Sequence, residues 1–134
     1  MPTEGDKGIV RNRARNRCEY CHAPEVIAGY AFHIEHINPR DNDGEDELEN
    51  YALSCMPCNR AKSNHLTGID PRSGEQQRLF HPRQDNWSDR FRIDKNLYVR
   101  GKTAVGRATV NRLQMNQSRQ LEARELWHQI DMYP

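Results

Sequence analysis

The sequence predicts a small α+β domain whose apolar core is too thin to account for its stability alone. Short segments typical of strands alternate with segments typical of helices, and 134 residues suit one domain better than two. Only 23 residues are Val, Ile, Leu or Phe, which is a low share for a folded domain. A formal net charge of +1 argues against disorder, so a second source of stability is expected. The four cysteines are the candidates for that source.

The N-terminal half is predicted to hold one basic helix and two strands. Residues 1–8 are expected to form a loose tail that leads into a short basic helix at 9–17. Aromatic and β-branched residues within 28–37 predict the first strand. The polar segment 38–50 contains Pro and Gly and predicts a loop, which ends near a second short strand at 51–53.

After the last cysteine the sequence predicts a helix, a connector and a hairpin. Residues 59–66 are typical of a short helix, which Gly68 and Pro71 would end. Residues 67–88 contain further Pro and Gly and predict an irregular connector. Apolar and basic residues alternate on both sides of a turn at 94–96, which predicts a hairpin with one apolar and one basic face.

Two helices are predicted at the C-terminal end. The first begins near Thr103 or Gly106 and ends near Asn116, and the second follows Ser118. One face of the last helix carries an apolar stripe formed by Ala123, Leu126, Trp127 and Ile130. Such a stripe is more often core than a partner surface, so we expect it to face the core.

Two cysteine pairs have the spacing of metal-binding knuckles. Cys18 and Cys21 form the first C-x-x-C, and Cys55 and Cys58 form the second. Four thiolates bind one Zn²⁺ tetrahedrally at about 2.3 Å per bond and leave no position for water, so such a site is structural. Structural zinc contributes on the order of 10 kcal/mol in small domains, which would supply the missing stability. Disulfides or free thiols are the alternatives.

No targeting or membrane segment is predicted. No apolar run approaches the roughly 18 residues of a membrane-spanning helix. The first six residues lack the apolar region of a secretory signal. We therefore expect a cytoplasmic protein without membrane contact, in which thiols stay reduced and a metal is favoured over disulfides.

Charge is strongly segregated along the chain. Residues 7–17 carry five bases and no acid, residues 41–50 carry six acids and no base, and residues 51–120 carry 13 bases against five acids. Sixteen of the 20 basic residues are Arg, which suits bidentate phosphate contacts. The pattern fits a nucleic-acid surface, with an ordinary solvated surface as the alternative. The acidic run is expected to be a solvated loop held away from a duplex, with a regulatory or metal-binding loop as the alternative.

The segment between the cysteine pairs carries the chemistry. It contains the strings EHINP and ENYALSCMPCN, with CEYC before them and Lys62 after them. In this combination the sequence resembles the HNH endonucleases, in the branch stapled by zinc. The later strings LTGIDPRSG, LFHPRQDNW and GRATVNRLQMN resemble a bacterial group of this family with a long C-terminal extension. The resemblance implies one domain with a ββα-metal core at about 9–66 and an extension at about 67–134.

The resemblance implies roles for four residues. His36 matches the general base that takes a proton from the attacking water. Glu35 and Asn59 match the ligands of the catalytic metal, and Asn50 matches the Asn that braces the loop and orients the base. This sequence has Glu where the branch usually has Asp, Asn in place of the last His, and Ser63 where some relatives have a third ligand. One carboxylate and one amide suit Mg²⁺ or Mn²⁺ better than Zn²⁺.

Four further residues are candidates for the site. His33 lies two residues before Glu35 on the same strand face, where it would orient Glu35, contact the phosphate, join the metal or simply pack within the strand. Lys62, Arg40 and Arg60 are candidates for binding phosphate, with a solvated surface as the alternative.

The resemblance implies a metal-dependent nuclease that hydrolyses phosphodiester bonds in DNA, by nicking or by double-strand cleavage. The implied products carry 5′-phosphate and 3′-hydroxyl ends. Because one such site cuts one strand, a double-strand break needs a homodimer or two events. The alternative is a catalytically inactive zinc-stapled module that binds DNA. The presence of Glu35, His36 and Asn59 together favours the nuclease.

Overall fold

The computed structural model describes residues 1–134 as six helices and three two-stranded antiparallel sheets. The helices are α1 (Glu4–Arg13), α2 (Glu25–Ala28), α3 (Met56–Lys62), α4 (Trp87–Arg90), α5 (Ala104–Leu113) and α6 (Ser118–Gln129). The strands are β1 (His33–His36), β2 (Tyr51–Ser54), β3 (Thr67–Ile69), β4 (Gln76–Arg78), β5 (Phe91–Ile93) and β6 (Val99–Gly101). Two 3₁₀ turns, Arg40–Asn42 and Leu48–Asn50, lie between β1 and β2. None of the helices has the length and apolar character that a membrane crossing needs.

The first sheet and the helix after it form a ββα unit, which confirms the predicted α+β class. β1 pairs with β2 so that Glu35 lies opposite Ala52 and His36 opposite Tyr51. Cys55 is the N-cap of α3 and Pro57 lies in its first turn, where proline is pre-organised for a helix. The helix therefore starts directly after β2, three residues before the predicted position. It ends at Lys62 because Ser63 adopts a positive φ of 49°.

The N-terminal residues are more ordered than the sequence predicts. The expected loose tail at 1–8 is wrong, because α1 begins at Glu4. Thr3 and Asp6 form a capping box in which each side chain accepts a hydrogen bond from the other residue's backbone. The helix is held down by Val10, which is fully buried.

The first predicted strand, 28–37, is too long at its N-terminal end. Residues Glu25–Ala28 instead form the short helix α2, which Gly29 ends in the left-handed conformation with φ 84°. Glu25 is held in this turn by bidentate hydrogen bonds from Arg11, at 3.0 and 3.1 Å. Glu25 also accepts a hydrogen bond from the backbone N–H of Phe32 at 2.8 Å, which holds the segment just before β1 against the turn of α2.

The predicted connector at 67–88 contains regular structure, so the expectation of an irregular segment is wrong. β3 and β4 pair in register, with Gly68 opposite Gln77, and α4 follows at Trp87. Gly68 permits this sheet to lie close to α5, since a Cβ there would stand 2.8 Å from the Ala108 carbonyl oxygen. The predicted hairpin is present as β5 and β6, where Ile93 lies opposite Val99.

The apolar stripe of the last helix does not face the core as expected. Leu126 is 63% exposed and Ile130 is 55% exposed, while Ala123 and Trp127 are half-buried. The buried residue of α6 is Arg124. Its guanidinium donates to the carbonyls of Leu97 at 3.0 Å and Met115, so hydrogen bonds orient this helix.

The C-terminal half packs directly on the first cysteine pair. Trp87 Nε1 donates to the Tyr20 carbonyl at 2.7 Å, and the Tyr133 hydroxyl donates to the Cys21 carbonyl at 2.6 Å. Phe80 contacts the Tyr20 ring edge to face, with ring centroids 6.3 Å apart. A single apolar cluster thus joins the residues around the cysteines to the later sheets and helices.

Candidate active site and metal centre

The four cysteines come together as the sequence predicts. All four are buried and unpaired, and their sulfurs lie within 4.8 Å of one another. The sulfurs of Cys21 and Cys55 are 3.6 Å apart, which is far longer than a disulfide bond of about 2.05 Å. A tetrahedral zinc thiolate site requires sulfurs about 3.8 Å apart. The donor set and its spacing therefore fit a structural zinc ion.

The end of β1, the loop that follows it and one side of α3 line an open polar cavity of about 300 Å³. Three of the predicted catalytic residues, Glu35, His36 and Asn59, line it. The remaining lining residues are Pro39, Arg40, Asp41 and Ser63. The structure thus brings a carboxylate, an imidazole and an amide to one place, although they come from two different elements.

Glu35 is almost fully buried beside this cavity. The Tyr20 hydroxyl donates a hydrogen bond to its Oε1, and Lys62 Nζ lies 3.7 Å from its Oε2. Burial raises the pKa of Glu35 to about 7, although Lys62 and Tyr20 act in the opposite direction. Tyr20, which the sequence analysis did not single out, is the third residue of the string CEYC and is itself fully buried.

Lys62 does not lie where a phosphate contact was expected. Its residue is 2% exposed, and its ammonium donates to the Ile37 carbonyl at 3.0 Å. The expectation of a surface lysine is wrong, because α3 turns this side chain toward β1. Lys62 instead ties the helix to the end of the strand that carries Glu35.

His36 is half-buried at the edge of the cavity. Its Nε2 lies 2.7 Å from Asp46 Oδ1, and its ring packs edge to face on Tyr51 with centroids 5.3 Å apart. Sequence reasoning missed Asp46, which stands in the acidic run that was expected to lie apart from the site. The spacing of ten residues across an irregular loop gives no local signal for this contact.

Asn50 joins the two ends of the loop between β1 and β2. Its Oδ1 accepts the backbone N–H of Asn38 at 2.8 Å. Its Nδ2 donates to the carbonyls of Asn38 and Glu45, both at 2.9 Å. All the hydrogen-bonding capacity of this buried amide except one lone pair is used on loop backbone, so Asn50 holds the loop shape and does not line the cavity.

Asn59 on α3 and Ser63, the residue that caps the C-terminal end of this helix, both line the cavity. The Asn59 side chain makes no hydrogen bond within the chain, so its amide oxygen is available to a ligand. Its backbone N–H donates to the Cys55 carbonyl at 2.9 Å. The cysteine knuckle therefore sets the start of α3 and the position of Asn59 together.

The other candidates lie at the rim of the site or beyond it. His33 is exposed and does not line the cavity, although it shares a strand with Glu35. Arg40 lines the cavity and donates to both oxygens of Asp46, at 3.1 and 3.3 Å. Arg60 is exposed on α3, with its Nη2 3.2 Å from the Met56 sulfur.

The basic N-terminal run is used mainly inside the molecule. Arg13 donates to the carbonyls of Leu48 and Tyr51, both at 2.6 Å. Arg17 donates to the carbonyls of His22 and Met132, both at 2.9 Å. Together with the Arg11 pair described above, these contacts show that three of the four arginines brace the fold. Their clustering in sequence therefore does not form a free nucleic-acid surface.

A comparison with protein families gives one match. The family model described as HNH endonuclease matches residues 18–65, which include all four cysteines and every residue that lines the cavity. No curated protein and no solved structure matches the chain at a significant level. Residues 18–65 of this chain thus match the HNH endonuclease family, and the ββα unit with its four clustered cysteines fits the zinc-stapled form of that fold.

Proposed function

We propose that this protein is an active, metal-dependent endonuclease that hydrolyses phosphodiester bonds in DNA. The observation that carries the proposal is the shared cavity of Glu35, His36 and Asn59 inside the family segment. A general base and two oxygen donors are the groups that metal-assisted phosphodiester hydrolysis requires. A cavity lined mainly by charged and polar side chains suits a charged phosphate and water.

His36 is the general base in this proposal. Its ring lines the cavity, where it is placed to accept a proton from a water molecule that attacks the phosphorus. Arg40 at the cavity and Arg60 on the exposed side of α3 are the groups that would bind the flanking phosphates. The products would carry 5′-phosphate and 3′-hydroxyl ends.

Glu35 and Asn59 are the residues that would hold the divalent metal. A carboxylate and an amide oxygen are hard donors, and their small number leaves positions for water and phosphate oxygens, which fits Mg²⁺ or Mn²⁺. When bound there, such a cation supplies electrostatic stabilisation to the phosphate and the leaving oxygen. Tyr20 and Lys62 keep the Glu35 carboxylate in one orientation, and a carboxylate has enough lone pairs to accept both contacts and a metal bond.

The wider expectations belong to this proposal as well. One cavity per chain cuts one strand, so double-strand cleavage requires a second copy of the chain or two events. Four reduced cysteines suit a reducing compartment such as the cytoplasm. Residues 9–66 would form the catalytic core of a single domain and residues 67–134 its extension.

A catalytically inactive zinc-stapled DNA-binding module is the second candidate function. The observation that favours it is the Glu35 carboxylate, which is buried and already bound by Tyr20 and Lys62. A site that had lost its metal would tolerate this arrangement. The free amide of Asn59 and the accessible ring of His36 favour the nuclease.

Supercoiled plasmid and zinc-loaded protein in buffer free of other divalent cations test the proposal. We expect open circles or linear DNA after addition of Mg²⁺ or Mn²⁺, and no cleavage with His36→Ala. General base catalysis typically contributes about 10²- to 10⁴-fold, so a loss of at least 100-fold is expected. His65→Ala is the matched control, because His65 is exposed and outside the cavity.

The outcomes separate the two candidates. Unchanged cleavage by His36→Ala would show that the activity comes from elsewhere. Retained DNA binding in a gel shift without cleavage in any metal would move the assignment to the binding module.

A further inference from the structure

The loop between β1 and β2 reaches back to the histidine at the end of β1. Asp46 Oδ1 lies 2.7 Å from His36 Nε2. His36 lines the polar cavity and Asp46 does not. The carboxylate is therefore not one of the groups that line the cavity, and its contact with the ring is made at Nε2. The other ring nitrogen of His36, Nδ1, makes no hydrogen bond within the chain.

The chemistry of this contact sets the direction of the hydrogen bond. An ionised carboxylate only accepts, so Nε2 carries the hydrogen and donates it. Asp46 also accepts hydrogen bonds from the Met1 ammonium at 2.5 Å and from Arg40. These bonds, with that of His36, hold the pKa of Asp46 below its usual range, so it is ionised at neutral pH. With the hydrogen on Nε2, the neutral ring keeps its lone pair on Nδ1.

The loop that carries Asp46 is built to one shape. Asn50 Nδ2 binds the carbonyl of Glu45, the residue before Asp46. The N–H of Gly44 donates to the Pro39 carbonyl at 2.9 Å. A Cβ at Gly44 would stand 1.8 Å from the Asn38 carbonyl oxygen, so no other residue fits there without moving the loop. Asp46 thus reaches His36 from a braced backbone, although its own side chain is half-exposed.

We propose that Asp46 is a positioning residue for the general base, which holds His36 in the tautomer with its lone pair on Nδ1 and fixes the plane of the ring. The proposal rests on the proposed function and deepens it. It also gives Asn50 a route to the chemistry, through Glu45 and Asp46 to His36. Part of the acidic run, expected to lie apart from the site, thereby serves it.

The test compares Asp46→Ala and Asp46→Asn with Asp43→Asn in the zinc-loaded protein. Asp43→Asn removes the same charge from the same loop. The Asp43 side chain forms no hydrogen bond or ion pair, and its φ of 61° is one that Asn tolerates. A small misplacement of a catalytic group costs up to about 100-fold. We therefore expect single-turnover cleavage at saturating DNA to fall about 10- to 100-fold in Asp46→Ala and less in Asp46→Asn, which keeps an acceptor oxygen. DNA affinity in a gel shift should stay within about threefold in all three variants.

A second measurement does not depend on cleavage. Nitrogen-15 NMR of the imidazole distinguishes the two neutral tautomers, and we expect hydrogen on Nε2 of His36 in the wild type and in Asp43→Asn. In Asp46→Ala we expect a mixture of tautomers. An unchanged tautomer in Asp46→Ala, or cleavage as fast as in Asp43→Asn, would overturn the proposal. Faster cleavage by Asp46→Ala would also overturn it, because the contact would then be an obstruction.

The two measurements also separate this proposal from the nuclease assignment. If the wild type does not cleave DNA but the His36 tautomer depends on Asp46, the proposed function fails and the positioning contact stands. If the wild type cleaves and His36→Ala does not, while Asp46 has no effect on rate or tautomer, only the positioning proposal fails.

Discussion

The HNH segment, residues 18–65, and the later region, residues 67–134, are stabilised by different kinds of interaction. Both have few apolar side chains, so neither is held by a large core. The HNH segment relies on four buried cysteines that can hold one metal ion. The later region has no cysteine and relies on arginines. Arg107 grips the fully buried Asp70 with two bonds of 2.9 Å, and Arg78 grips Asp85 with bonds of 2.7 and 2.9 Å.

Because their stabilising interactions differ, the two regions should respond differently when one such interaction is removed. Because one metal ion would join four cysteines from two parts of the HNH segment, we expect this segment to fold when the metal binds and to unfold when it is removed. Arginine pairs act locally, and the loss of one should weaken the later region without abolishing it. The two regions meet at the first cysteine pair, where Trp87 stacks on His22 with ring centroids 3.9 Å apart. This contact makes Trp87 a reporter of how the regions dock.

The largest effect is expected from the metal site. Cys58→Ser replaces one of four buried sulfurs, which should remove the zinc and with it a binding energy on the order of 10 kcal/mol. We expect loss of the cooperative unfolding transition in circular dichroism, zinc content well below one per chain, and a shift in tryptophan fluorescence as Trp87 leaves His22. A variant that keeps one zinc and a cooperative transition would show that the cysteines are not the staple.

An intermediate effect is expected from the buried arginine of α6. Arg124→Met keeps the side-chain length but removes hydrogen bonds to the carbonyls of Leu97 and Met115 and to Asn116 Oδ1. Hydrogen bonds from a charged group contribute about 1.5–3 kcal/mol, so the free energy of unfolding should fall by about 3 kcal/mol. Urea titration measures it, with exposed Arg119→Met on the same helix as the control. Zinc content should remain at one per chain, and its loss would mean that the two regions are not separately stabilised.

The smallest effect is expected from the apolar residues that α6 exposes. Leu126→Ser should change the free energy of unfolding by less than about 0.5 kcal/mol, because the side chain is already 63% exposed. Val99→Ser is the contrasting variant, since Val99 is fully buried between the last sheet and the later helices. If Leu126→Ser lowers the free energy of unfolding by more than about 1 kcal/mol, this face of α6 is buried in solution, as the sequence predicted.

Local patterns in the sequence predicted the parts of the fold that depend on near neighbours. The clustering of the cysteines, the strand predicted at 51–53 and the last hairpin are confirmed because knuckle spacing and alternation act over a few residues. The hairpin of β3 and β4 was missed because each strand has three residues and little apolar character. This hairpin is stabilised by its contact with α5, where the Arg112 side chain donates a hydrogen bond to the carbonyl of Thr67 in β3 at 3.0 Å.

Charged residues were the least predictable from sequence. A run of arginines has the same pattern whether it faces DNA or donates to carbonyls far along the chain, as Arg17 does to Met132. The sequence placed Lys62 on the surface of its helix, but in the structure it is buried against Glu35 and Ile37. Long side chains with several donors reach partners that no local periodicity specifies.

By itself, the sequence determined the class of the fold, the four cysteines that could hold a metal ion and the two strings that carry Glu35, His36 and Asn59. These features depend on spacing along the chain, and spacing is visible in one dimension. Only the tertiary structure decided that Tyr20 and Lys62 bind Glu35. It also decided that Asp46 is hydrogen-bonded to His36 and that Arg124 is the buried residue of α6. Each of these contacts joins residues that are not neighbours in the sequence, so only the tertiary fold brings the partners within hydrogen-bonding or ion-pairing distance.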